Sequence, residues 1–120
     1  MIYVVGTSSS VTISASTFIT NSAGKAGGVF YIKGTSSNTL SLTTTSFTTS
    51  TAGTHGGVFY YEGLGFTMTG TTLTVTDSFA TAGSGGVVYY KGTTSSITLQ
   101  TTSKFKNHKA GVGSGGCFYV

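Results

Sequence analysis

The sequence predicts an all-β fold, a parallel β-helix (β-solenoid) of about four coils of 29 residues, and three observations carry that prediction. A Gly-Gly pair recurs at Gly27-Gly28, Gly56-Gly57, Gly85-Gly86 and Gly115-Gly116, at spacings of 29, 29 and 30 residues. An aromatic strand follows each pair, in "GGVFYIKG", "GGVFYYEG", "GGVVYYKG" and "GGCFYV". Ser and Thr fill 42 of the 120 positions and there is no Pro, so the composition is that of strands built from Thr, Val, Tyr and Phe.

Each element of the repeat has its own reason. The aromatic strand alternates with period two and ends on a glycine, at Gly6, Gly34, Gly63 and Gly92. A second strand alternates hydroxyl and aliphatic residues: Ser10 to Ser14, Thr39 to Thr43, Thr72 to Thr76 and Ser96 to Gln100. That pattern buries one face and wets the other. A third, shorter segment starts near a lone Phe (Phe18, Phe47, Phe79, Phe105) and runs to an Ala-Gly step at Ala23, Ala52, Ala82 and Ala110. The Gly-Gly pair then supplies the corner, through positive φ and close backbone approach.

A unit of this size without a helix cannot bury its apolar face alone, and stacking equivalent units buries it. Equivalent strands would then lie roughly 4.8 Å apart, giving a block on the order of 20 Å tall. One domain is expected, with coils at about 1–28, 29–57, 58–86 and 87–116, and residues 117–120 starting another. In the third repeat Phe79 lies 16 residues after Gly63, whereas Phe47 lies 13 after Gly34. The spacing to the next Gly-Gly shortens to match, so the period survives.

In-register stacking turns positions into columns. Tyr3, Tyr31, Tyr60, Tyr89 and Tyr119 form an expected five-rung ladder on the outer face, beside Val29, Val58 and Val87. Lys33, Glu62 and Lys91 form a charge column in which Glu62 relieves lysine repulsion. The outward Ser and Thr form a hydroxyl array suited to a plain strand surface, to O-linked glycans or, distantly, to ice. No Asn-x-Ser/Thr sequon is present, and no membrane span or signal peptide is visible in these residues.

Other function classes fit poorly. The net charge of +4 comes from six lysines against Glu62 and Asp77, and three of those lysines sit in "KFKNHK". With no Arg and no basic stripe, nucleic-acid binding is not expected. Two carboxylates in different parts of the repeat do not make an acid–base pair. His55 and His108 have no metal-spaced partners and are expected in loops. No catalytic, cofactor or metal residue is assigned. Cys117 takes the place of Val29, Val58 and Val87 and reads as a small packed side chain.

"FITNSAGKAGGVFY", from Phe18 to Tyr31, resembles the Phe-x-x-Asn and Gly-Gly-Ala-aliphatic repeats of chlamydial polymorphic outer-membrane proteins. Similar repeats occur in other bacterial and ciliate surface proteins. By spacing, Ser50, Ala82 and His108 stand where Asn21 stands in the first copy. The resemblance implies a right-handed parallel β-helix, a cell-surface or extracellular setting and, for the bacterial families, adhesion.

Since both ends of the sequence fall within the aromatic strand, the expectation is a window of a longer array or coils stacked end to end. The expected role is therefore structural: a filament-forming solenoid that self-associates by end-to-end stacking and by lateral packing, with a glycan-binding or adhesin-like module using the Tyr ladder or the Ser/Thr face as the alternative.

Overall fold

The structure, a computed structural model, describes residues 1–100 and 102–120. Eleven strands run through the described residues: β1 (Ile2–Gly6), β2 (Ser10–Ser14), β3 (Thr17–Ala23), β4 (Phe30–Gly34), β5 (Asn38–Ala52), β6 (Phe59–Gly63), β7 (Phe66–Ala80), β8 (Val88–Gly92), β9 (Ser95–Gln100), β10 (Lys104–Ala110) and β11 (Phe118–Tyr119). Every pairing is parallel. One sheet has the order β1-β4-β6-β8-β11; the other stacks β2 and β3 on β5, β5 on β7, and β7 on β9 and β10. This is the β-solenoid, and its shortest dimension is 20 Å.

The long strands β5 and β7 bend where single residues adopt the left-handed conformation. Ala15, Thr44 and Thr72 make one such column (φ 47 to 54°), and Thr20, Thr49, Asp77 and Asn107 make a second (φ 52 to 57°). Each reverses the inside–outside alternation by one step. Thr43 and Thr44 both face outward, and Thr45 returns to the core. For a β-branched residue this conformation costs about 1–2 kcal/mol, and the pairing of adjacent coils holds it in place.

The Gly-Gly corner divides its work between its two residues. Gly27, Gly56, Gly85 and Gly115 carry φ of +63 to +71°. Gly28, Gly57 and Gly86 have no such φ, but a Cβ on any of them would collide with the carbonyl oxygen of Gly57, Gly86 or Gly116, one coil on. The first glycine makes the turn and the second lets the next coil approach.

The core is a stack of like residues. Phe30 and Phe59 stack at 5.2 Å, Phe18 and Phe47 at 5.0 Å, and the two columns meet edge to face, with Phe30 and Phe47 6.0 Å apart. Tyr61 and Tyr90 point inward and stack at 5.2 Å. Their hydroxyls tie down the turn that follows, Tyr61 on the Leu64 carbonyl at 3.0 Å and Tyr90 on that of Thr94 at 2.7 Å.

Four sequence expectations need correction. Val29, Val58 and Val87 are fully buried in the core and do not accompany the tyrosines. The corner interrupts alternation there: Val58 O accepts from the amides of both Val29 and Phe30 (3.0 and 2.9 Å), so adjacent side chains both face inward. Cys117 follows them against the core.

The register of the third coil also differs from the sequence expectation. Gly63 pairs with Gly34, but Phe66 pairs with Asn38, so the intervening turn is one residue shorter, with Gly65 at φ +64°. The second side of this coil is therefore Phe66 to Thr71, while Leu73 and Val75 belong to the third, opposite Thr45 and Phe47. Val75, not Phe79, continues the Phe18–Phe47–Phe105 column, and Ala80, not Ala82, continues the Ala23–Ala52–Ala110 column. The lost residue returns between Ala80 and Gly85. Packing compensates as well: Gly70 replaces Leu42, and Leu73, which replaces Thr45, lies against it beside Leu99.

By the same register Ser78, not Ala82, follows Asn21 and Ser50. Finally, His108 is no loop residue; it lies in β10, paired with Ser78 on the inward column.

Candidate functional site

The outer face of the aromatic sheet carries the most ordered surface feature. Tyr3, Tyr31, Tyr60, Tyr89 and Tyr119 pair rung to rung. Their ring centroids lie 5.0, 4.9, 5.3 and 5.0 Å apart, with planes within 11° of parallel. Tyr3 is 63% exposed and Tyr119 38%, while the three between them are half-buried. Stacking at this distance uses both faces of the inner rings. The ladder therefore presents ring edges and hydroxyls to solvent, not flat π faces.

The charge column runs alongside, two residues further along each strand. Val5, Lys33, Glu62 and Lys91 share it. Glu62 is its hub: Oε2 accepts from the Tyr60 hydroxyl at 3.0 Å, and Oε1 lies 3.7 Å from Lys33 Nζ. Both groups of the ion pair are partly exposed, so the pair itself contributes roughly 0–1 kcal/mol. Burial, and then the bond to Glu62, push the Tyr60 phenol well above its ordinary value, because ionising it would place a phenolate against a carboxylate. Tyr89 is raised by burial, then by Tyr119 and Glu62.

His55 completes this face and was not anticipated there. The corner after β5 brings its ring to 4.4 Å from Tyr89, and its Nδ1 accepts from the Ser84 amide at 3.0 Å. The equivalent corner of the first coil leaves a groove of about 600 Å³ beside Tyr3 and Tyr31, walled by Ser22, Lys25 and Ala26.

The hydroxyl face has the corrected columns Ser10/Thr39/Thr67/Ser96, Thr12/Ser41/Thr69/Thr98 and Ser14/Thr43/Thr71/Gln100. Hydroxyls bond between coils, Thr39 to Ser10 at 2.9 Å and Ser46 to Thr17 at 3.1 Å. Lys104, Lys106 and Lys109 are exposed along β10, opposite Thr74, Thr76 and Phe79. Among the described residues no three of His, Cys, Asp and Glu gather as metal ligands, and no helix is long and apolar enough to cross a membrane.

This geometry defines the class, a parallel β-solenoid with stacked aromatic, charged and hydroxyl columns. Beyond that class, no family model matches the chain, and comparison with curated proteins and with solved structures finds no match.

Proposed function

We propose that the chain is a structural β-solenoid that self-associates coil to coil, a building block for filaments in an extracellular or cell-surface setting. The observation that carries this reading is Gly116. Its equivalents Gly28, Gly57 and Gly86 must lack a side chain because the next coil's carbonyl presses on them. Gly116 keeps the glycine, yet a Cβ there would meet nothing nearer than His108 O, at 3.8 Å. A further equivalent coil, whether it continues the same protein or comes from another copy, would make at Gly116 the contact that the other three make. The outer columns support the same reading, since tyrosine and hydroxyl ladders extend without a change of pattern when another equivalent coil is added. Sedimentation and electron microscopy of the purified chain test it; a chain that stays monomeric at high concentration and forms no fibres defeats it.

The groove beside Tyr3 favours a second reading, a glycan-binding or adhesin-like module. Tyr3 is the most exposed of the five tyrosines and lines this groove, with Ser22 and Lys25 as polar contacts for a sugar. A glycan-array signal that Tyr3→Ala abolishes would support it. O-linked glycans on the hydroxyl columns are proposed for the native material, and the intact mass checks them.

A further inference from the structure

Inside the solenoid one column is polar. Asn21 pairs with Ser50, Ser50 with Ser78 and Ser78 with His108, all in register. Each follows a left-handed residue (Thr20, Thr49, Asp77, Asn107) and precedes an inward alanine by two. Ser50 and Ser78 are fully buried. Asn21 Nδ2, both Ser Oγ atoms and both His108 ring nitrogens are buried and have no hydrogen-bond partner among the described residues. Every member of the column thus carries an unmet polar group, a pattern that chance burial of one hydroxyl does not explain.

The backbone path is the same in all four coils, yet the side chains differ in bulk. It accommodates Asn at one end and His at the other. Ser is two heavy atoms smaller than Asn, close to the roughly 30 Å³ share of one water. Adjacent rungs stand about 4.8 Å apart, too far for one hydroxyl to reach the next directly. An oxygen at about 2.8 Å from both would subtend an angle near 118°, within the tetrahedral range of a bridging water.

We propose that this column is a buried water-binding site, in which an ordered water bridges Ser50 Oγ and Ser78 Oγ, and further waters join Asn21 Nδ2 and His108 to the file. The end groups have matching chemistry: Asn21 Nδ2 donates, and neutral His108 offers one accepting and one donating nitrogen. Burial lowers the affinity of His108 for a second proton, which keeps it in that neutral form, with Asp77 the charge opposing the shift. The inference does not depend on self-association.

A high-resolution crystal structure and thermal denaturation test it together. The expected result is a water peak within hydrogen-bond distance of both Ser Oγ atoms. Ser50→Ala and Ser78→Ala should each lower Tm, and the double variant should lose less than the sum. Ser50→Asn should replace the nearby water with its side-chain amide and leave the fold intact. Two results would overturn the proposal: no peak between the serines in the unaltered chain, or a Tm that rises on Ser→Ala. A buried hydroxyl that is truly unpaired is better removed, so the sign of the shift decides.

Discussion

Replacing Gly116 with Val separates folding from assembly. In the isolated coil stack a Cβ at Gly116 meets only His108 O, at 3.8 Å, and Gly116 does not have a positive φ. The variant should therefore fold with unchanged stability. If another coil stacks on this face as each coil stacks within the chain, its carbonyl arrives where Val Cβ now stands. Overpacking of that kind costs about 1–3 kcal/mol or more at a rigid backbone, which weakens each junction roughly 5- to 150-fold. Gly86→Val is the internal control. There the collision with Gly116 O is already present, and Lys109 N lies 2.8 Å from the added Cβ, so the control should unfold. Sedimentation velocity and negative-stain microscopy read assembly, and urea denaturation reads the fold. Gly116→Val assembling as readily as the unaltered chain would refute the stacking argument, and a Gly86→Val of full stability would refute the close-approach argument beneath it.

Further predictions follow from the corrected packing. Val58→Asp should unfold the chain, because an unpaired carboxylate would enter a fully buried site at a cost of several kcal/mol. Thr49→Asn should stabilise by about 1 kcal/mol, since Asn tolerates the left-handed conformation that Thr49 holds; a lowered Tm would count against strain at that corner. Tyr60 keeps its proton in the fold above the pH where an unfolded tyrosine ionises, at 10.0. Its stabilisation is thus present below that pH and lost as pH rises beyond it, and Tyr60→Phe should remove a late phenolate step in an ultraviolet titration. His108 has its folded value below 6.5, so the unfolded chain takes the proton first. Stability should fall as pH drops below 6.5, and His108→Asn, which places the first coil's residue there, should flatten that slope. Burial pushes the Cys117 thiol up to about 11, so a thiol reagent near pH 8 should react slowly until denaturant is added.

The sequence showed its period and its columns wherever glycine or an aromatic ring marked them. Gly-Gly, the strand-ending glycines and the five tyrosines all fall in register. It misled where the marker was generic. Thr72 to Thr76 alternates as well as Phe66 to Thr71 does, so period two alone cannot say which of the two faces the second side. Phe79 carried the right residue type at the wrong place, and the pairing partner Val75 had no distinguishing mark. The left-handed corners were illegible for a different reason. Glycine advertises positive φ, whereas Thr20, Thr44 and Thr49 adopt it only because the neighbouring coils hold them there. The polar column depended on those corners, so Ser78 and the inward His108 stayed hidden with them.

The third coil shows how far a solenoid can drift and still stack. Its turn after Gly63 is one residue short, its inward Leu has moved from the place of Leu42 to that of Thr45, and its core Phe has become Val75. None of these changes breaks the register of the aromatic sheet, because each is compensated before the next Gly-Gly corner closes. What does not vary through the interior of the stack is the carbonyl approach at Gly28, Gly57 and Gly86. Selection on side-chain chemistry alone would let those glycines change as freely as the Phe column does. A steric demand imposed by the adjoining coil does not, and Gly116 keeps the same glycine at the last corner of the stack.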